Sequence, residues 1–404
     1  MTKKLLFVDE HKVVNYAGGI ERVICNFANE FIQRGYDVVI VCMDMEKGRP
    51  LFPLNGKVKF LNLCYDNRGQ CTFGGIIWLL KKIQKEILRV FCGAKMRFGS
   101  RKIKDPKKEY YFNEFIRRLH KVVDDENPDL LISISADGAD IIQKAAAGKH
   151  IPVVAMCHMD PSRILDEYVD NQIAAWKKCE YVQVLMDRFV EHLQRIDINN
   201  VVRIPNAVVQ FKDDEICDLS ITHHRIITAG RLDGAGKRQH LLIEAFAEIV
   251  SDFPDWKVHI YGDIANKRYK KKLDRLIRDN HLQDKVFFEG HTVNLLDEMR
   301  QSDVFVFPSE HEGFGLALAE AMSIGMPVIA CRECEAAEEI IGENGILCDD
   351  EVSIADGLRQ LLNSIELRQN LGNKAHRAMA QYSADKVWDM WQKLIDKVLH
   401  ERRL

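Results

Sequence analysis

Short apolar runs alternate with segments whose apolar residues recur every three or four positions, and this alternation continues along most of the chain. Leu5 to Val8, Val38 to Met43, Leu130 to Ile134, Val153 to Cys157, Tyr181 to Leu185 and Val201 to Ile204 are too short for helices. Their nearly continuous apolar character predicts strands covered on both faces. Between the first two lies IERVICNFANEFIQRG, apolar at helical spacing and ending at Gly35, and Ala139 to Ala147 predicts another helix. Strand, polar loop, helix, strand is the order expected of a parallel sheet with right-handed crossovers.

The pattern begins again at Arg225. Strand IITAG, loop RLDGAGKRQ and helix HLLIEAFAEIV are followed by KVHIYG, KRYKKKLDRLIRDN, KVFFEG and VNLLDEMR, which read alternately as strand and helix. The polar stretch QFKDDEICDLSITHH separates the two halves and reads as a linker. At the end, Val387, Met390, Trp391, Leu394, Ile395 and Val398 keep helical spacing. The expectation is therefore an α/β protein of two Rossmann-like, doubly wound domains facing each other across a cleft. Their bounds are set at 1–206 and 223–384, with a linker over 207–222 and a helix over 385–404 that packs back on the first domain. A length of 404 residues and 47% hydrophobic content suit two cores.

The second half closes on FPSEHEGFGLALAEAMSIGMPVIA, from Phe307 to Ala330. A strand, Val304 to Phe307, breaks at Pro308 into a glycine-spaced loop that opens a helix, which stops at Gly325 before a second strand. Gly313 and Gly315 let backbone amides face outward at the helix start, where unpaired N–H groups and the helix dipole favour a phosphate. Glu312 and Glu320 bracket that place with seven residues between them. A carboxylate at 320, buried in LALAEAM, requires hydrogen-bond donors, which a ligand hydroxyl would supply, or else complements the helix dipole or pairs with a lysine. Arg231 and Lys237 follow the first strand of this half, where two cations could meet an anion held at Gly315 or stand as solvated surface charge.

In the first half, Gly18 and Gly19 stand between strand and helix, as a tight turn or a phosphate contact. Their spacing is not G-x-G-x-x-G, which removes the main support for a dinucleotide oxidoreductase. His158 lies between a strand's carboxyl end and a helix capped by Asp160 with Pro161 at its first position, a place for a ligand-facing side chain or a loop histidine bonded to backbone.

The segment from Gly74 to about Val123 departs from the pattern. Ile76, Leu80, Ile83, Ile87 and Val90 form one helical stripe, with Lys81, Lys82, Lys85 and Arg89 on the other side. Lys95, Arg97, Arg101, Lys102, Lys104, Lys107 and Lys108 extend the charge. A solvated face of a core helix and contact with anionic lipid or a lipid-diphosphate acceptor are equally open readings. Nucleic acid is a poor third, since no nucleic-acid motif accompanies the segment.

A formal net charge of -3 gives no whole-chain attraction to nucleic acid. MTKKLLFVDEH meets an acid after four apolar residues, so the start reads as neither signal peptide nor membrane span. Eleven scattered cysteines suit a reducing cytoplasm, and Cys331 with Cys334 lacks the second pair or histidine of a zinc set. No metal is expected.

Together, YAGGIERVICNFANEF, RIPNAV, AGRLDGAGKRQHLLIEAFAEI and SEHEGFGLALAEAMSIGMPVIA resemble the retaining GT-B glycosyltransferases of family 4, in the same order and over most of the chain. The resemblance implies a nucleotide-sugar donor, a uridine one on family frequency, held mainly by the second domain. It implies a glycan or lipid-linked acceptor on the first. By position, Arg231 and Lys237 would grip the diphosphate, amides near Phe314, Gly315 and Leu316 would hold it or the sugar, and Glu320 would bind ribose hydroxyls. Glu312 would contact the sugar, Gly18 and Gly19 would approach the diphosphate, and His158 would lie beside the transferred sugar. No cofactor is implied, the nucleotide sugar being a co-substrate. The resemblance implies a cytoplasmic enzyme, peripheral on the inner face of the membrane if Lys81, Lys82, Lys85 and Arg89 meet lipid. Two departures stand out: LDGAG is one residue longer than the commonest spacing, and CEAAEEII carries Glu339 where the family often has Gly-Gly before a Glu. The alternatives are a nucleotide-sugar hydrolase, epimerase or phosphorylase-like enzyme, and a non-catalytic sugar-nucleotide or membrane binder.

Overall fold

The computed structural model describes residues 2–16, 18–91, 105–164, 170–234 and 236–401, so the basic positions Lys95, Arg97, Arg101, Lys102 and Lys104 lie outside the described residues. The chain divides into two compact units, Met1–Ile204 with Trp388–Leu404, and Pro205–Val387. Each is a doubly wound parallel α/β unit, as the apolar pattern predicts.

In the first unit the elements run β1 (Lys4–Asp9), α1 (Gly19–Gln33), β2 (Asp37–Cys42), β3 (Lys59–Asn62), α2 (Gly75–Phe91), α3 (Pro106–Glu126), β4 (Leu130–Ser133) and α4 (Ala136–Ala145). They continue as β5 (Val153–Cys157), α5 (Pro161–Ile164), α6 (Asp170–Lys177), β6 (Tyr181–Val184), α7 (Asp187–Gln194) and β7 (Val201–Arg203). Among the described residues the strand order is β3-β2-β1-β4-β5-β6-β7, all parallel. Strands covered on both faces need apolar side chains on both, hence the buried runs Leu5 to Val8 and Val153 to Cys157. The helix expected from Ala139 starts three residues earlier because Ser135 caps it, its hydroxyl accepting from the Gly138 amide at 3.0 Å.

In the second unit β8 (Arg225–Ala229), α8 (Gln239–Ile249), β9 (Lys257–Tyr261), α9 (Lys267–Asp279), β10 (Val286–Gly290), α10 (Leu295–Arg300) and β11 (Val304–Phe307) follow one another. Then come α11 (Leu316–Ser323), β12 (Val328–Cys331), α12 (Glu335–Ile341), β13 (Ile346–Cys348), α13 (Glu351–Asn363) and α14 (Ile365–Ala378). The order β10-β9-β8-β11-β12-β13 reverses direction between β8 and β11. Ligands of open α/β sheets bind at such a reversal, outside the strands' carboxyl ends. Leu242, Phe246, Val258, Val306, Ile329 and Leu358 are buried in one core that α8 and α13 share with the sheet.

The last helix, α15 (Ala384–Glu401), belongs to the first unit from Trp388 onward. Trp388 and Trp391 stand edge-on to Phe27 of α1 at 5.6 and 4.9 Å, and Arg34 pairs with Asp389 at 2.9 Å. Burying two indoles on α1 gives the helix an anchor of about 150–250 Å² per ring.

Candidate functional site

At the reversal point of the second unit two loops interlock. The loop after β8 leaves through Gly230, whose amide donates to Tyr261 O at 2.9 Å, and the buried Gln239 amide holds the carbonyls of Gly230 and Arg231 at 3.1 and 3.3 Å. Gly262, at φ +143, lies so close that a Cβ there would stand 2.1 Å from Gly230 O. The loop after β11 meets the first where the Glu310 amide donates to Gly236 O at 2.7 Å and Arg238 Nε to Pro308 O at 3.1 Å. Arg238 is left-handed, at φ +44, and also pairs with Glu333 at 2.8 Å.

Across this join Lys237 Nζ forms an ion pair with Glu312. The lysine lies 6.0 Å from the Phe307 ring centroid and is packed against Gly230. Gly315 caps α11 at φ +82, a region a side chain enters only at a cost, and its open face rests on Phe307. Phe314 is buried edge-on to Tyr382 at 5.4 Å. Leu316, Ala317 and Leu318 occupy the first turn, whose amides find no acceptor within the helix. Lys237, Glu312 and the α11 amides thus share one corner, while Arg231 is exposed in the same loop. Glu320 is half-buried rather than enclosed, because its side of α11, with Leu316 and Ala317, remains partly open. Glu339 is half-buried on α12.

Arg238, Gln239 and Gly262 are positioning residues that motif spacing did not single out. The glycine after β9 and the R-Q following Lys237 were their only signals.

The reversal point of the first unit, between β1 and β4, has different chemistry. Gly18 is the N-cap of α1, and a Cβ on it would fall 1.9 Å from the Glu21 carboxylate, so the helix start predicted for a phosphate carries its own buried acid. Beside it Asp9, Glu10 and His11 form a cluster missed in the sequence, where they look like the polar end of a strand. His11 Nδ1 lies 3.6 Å from Asp9 and 3.5 Å from Glu10, and the Asp9 carboxylate raises its pKa to about 9. Glu10 accepts from the Ser135 hydroxyl, and its carboxyl is raised above the usual range by burial. Asp9, Glu10 and His11 offer ligand atoms within 4.8 Å of one another. A metal needs neutral imidazole, and the raised His11 opposes that use. His158, just after β5, is half-buried with Nε2 enclosed and unpartnered among the described residues. Burial lowers its pKa to about 4, so the ring is neutral at ordinary pH. Asp160 caps α5 through the Ser162 amide at 2.9 Å.

The basic helix α2 turns its apolar stripe outward, against one of the two readings left open for it. Lys81 and Lys85 are half-buried and Lys85 pairs with Asp105 at 2.5 Å, while Lys82 and Arg89 are exposed, Arg89 beside Glu86 at 3.2 Å. The solvated face is the apolar one, which corrects the picture of a core helix with a charged exterior.

Residues 217–378, within the second unit, match the model of the glycosyl transferases group 1 family. That stretch, most of the second unit, carries the sequence pattern of a group 1 glycosyltransferase domain. Over 95% of its length the chain is 22% identical to an uncharacterized glycosyltransferase of Haemophilus influenzae, covering 97% of that protein. An N-acetylgalactosamine-N,N'-diacetylbacillosaminyl-diphospho-undecaprenol 4-alpha-N-acetylgalactosaminyltransferase of Campylobacter jejuni is 26% identical over 73% of this chain and 68% of its own. The chain spans less than half the length of several further relatives. A structure of S. aureus TarM in complex with UDP and alpha-GlcNAc-glycerol superposes with a TM-score of 0.72 at 18% identity, covering 97% of this chain and 99% of TarM. The glycosyltransferase domain therefore sits in a chain with the GT-B fold.

Proposed function

We propose that the protein transfers a sugar from a nucleotide-sugar donor, a UDP-sugar, to a glycan or lipid-linked acceptor in surface polysaccharide or glycoconjugate synthesis. The observation that carries this reading is the meeting of Lys237, Glu312 and the α11 amides at one sheet reversal of a group 1 domain. UDP in the TarM structure and the diphospho-undecaprenol acceptor in the Campylobacter enzyme's name support the donor and acceptor classes.

The chemistry follows from charge. The bond from anomeric carbon to diphosphate oxygen breaks, leaving an oxocarbenium-like centre and a phosphate that needs cations and amides at once. Lys237, Arg231 and the amides of Gly315 and Leu316 stabilise the leaving group. The acceptor oxygen bonds the anomeric carbon on the same face, and its proton passes to the departing phosphate oxygen. Configuration is retained, with neither covalent intermediate nor metal. Glu320 holds ribose hydroxyls and Glu312 the sugar. His158, neutral with an unpartnered Nε2, takes a sugar hydroxyl. Gly18 and Gly19 keep their assignment to the diphosphate with Glu21 as an opposing charge.

No described helix is long and apolar enough to cross a membrane. The exposed cations Lys82 and Arg89 suit a peripheral place on an anionic cytoplasmic membrane face. A thermal-shift screen of nucleotide sugars, followed by NMR of the product, tests the proposal. The true donor stabilises the fold and rapid turnover requires an acceptor. Equal turnover without acceptor makes the enzyme a hydrolase, and an inverted product overturns the mechanism.

A further inference from the structure

Helix α2 is held to the first unit by one face. Trp78 packs 5.0 Å from Phe73 and 6.3 Å from Tyr110, with the Lys107 ammonium 4.5 Å over its ring, and Lys85 reaches Asp105. With Lys81 and Leu88, also half-buried, these positions recur at intervals of three and four, so the helix is seated by design of its inner face. The outer face presents Ile76, Leu79, Leu80, Ile83, Ile87 and Val90, each 47% to 79% exposed, in one unbroken strip. Its exposed flanks carry Lys82 and Arg89 against a single acid, Glu86.

An exposed apolar strip of this size calls for an occupant. Seventeen residues give a strip about 25 Å long and about 10 Å wide, carried on one helix and edged by the cations Lys82 and Arg89. A bilayer accepts a single helix face of that size, burying it about 5–10 Å deep, and anionic headgroups suit the flanking cations.

We propose that α2 is a membrane-insertion helix whose apolar outer face enters an anionic bilayer, while Lys85 serves its seating on the α3 cap Asp105. The inference rests on the membrane-side part of the proposed function and adds the residues and the mode of contact: insertion first, charge second.

The test is co-sedimentation of the full chain with phosphatidylcholine vesicles with and without phosphatidylglycerol, at low salt and at high salt. The Ile83→Ser/Ile87→Ser protein is expected to lose at least tenfold in vesicle partitioning at both salts, with unchanged thermal unfolding and unchanged transfer to a water-soluble acceptor. Lys82→Gln/Arg89→Gln is expected to weaken binding only at low salt and only with phosphatidylglycerol present. Tryptophan at position 83, placed by Ile83→Trp, is expected to shift to the blue and be quenched by brominated lipid. Wild-type binding that vanishes at high salt, or an unaffected Ile83→Ser/Ile87→Ser protein, overturns insertion. Self-association abolished by the same double change, without vesicle binding, assigns the face to a second copy and overturns it too. Transfer to the soluble acceptor reports on the enzymatic reading separately.

Discussion

Lys237 and Glu312, which follow different strands of the second sheet and lie 75 residues apart, are joined in an ion pair at the reversal point. The family resemblance assigns one to the diphosphate and the other to the sugar. With both side chains largely shielded from solvent, each is the other's counter-charge before any donor arrives. Under the proposed function, a donor diphosphate would have to displace this carboxylate to reach the lysine, and Glu312 would then be released toward a sugar hydroxyl, binding energy being spent on arranging the site.

This exchange predicts unequal single mutants. Lys237→Ala removes a donor to the leaving phosphate and should lower kcat/KM by about 10²–10³, roughly 2.7–4 kcal/mol. Glu312→Gln leaves the lysine uncompeted, so the nucleoside diphosphate should bind no more weakly while kcat falls. Calorimetric titration with steady-state kinetics separates the two, and the double mutant should lose less than the sum because the residues are in contact.

How much of this was legible depends on what kind of contact carries it. The strands of β1, β5 and β11 were plain because burial on both faces leaves an apolar run that no other element explains. The α11 start was plain because Pro308 ends a strand and Gly313 and Gly315 space the loop before a helix. The Lys237–Glu312 pair was not, since ion pairing between loops leaves no periodic trace. Gly262 was also silent: its role is set by the Gly230 carbonyl 32 residues earlier in the chain. For α2 the pattern gave the stripe correctly but not its direction, because an amphipathic helix reads the same whether its apolar face is buried or exposed.

Glu320 and Glu312 should fail differently. Glu320→Ala removes a carboxylate that is half-buried on α11 and assigned to ribose, so donor affinity should fall with kcat little changed at saturation. Glu312→Ala should chiefly lower kcat. Unaltered donor affinity and turnover in Glu320→Ala would reject the ribose assignment.

Gly262→Ala tests whether the β8 loop is held from behind. A Cβ at 262 meets Gly230 O at 2.1 Å and the Arg231 amide at 3.2 Å, so backbone must move, and the loop carrying Arg231 and Lys237 moves with it. Urea unfolding should show a loss of about 1–3 kcal/mol, the range for overpacking, and donor affinity should drop. Gly290→Ala is the control. That residue is also left-handed, at φ +74, but a Cβ there meets nothing within 4 Å, so it should lose stability without losing donor affinity.

Two histidines of the first unit, His158 and His11, should bend the pH-stability curve on opposite sides. His158 has its pKa lowered from 6.5 to about 4 by burial, so the folded state binds fewer protons than the unfolded between those values. Its contribution is complete above 6.5 and is lost as pH falls toward 4. His11 is raised to about 9, chiefly by Asp9, so its contribution is complete below 6.5 and is lost as pH rises toward 9. Glu10, raised by burial, contributes with the opposite sign to His158, so the difference between variant and wild type is the quantity to read. Urea midpoints from pH 4.5 to 9 should show His158→Gln less sensitive to acid with its basic limb unchanged, and His11→Asn less sensitive to base. An acid limb untouched by His158→Gln would mean the ring is not held neutral in the fold, and would remove the reason for giving it a sugar hydroxyl.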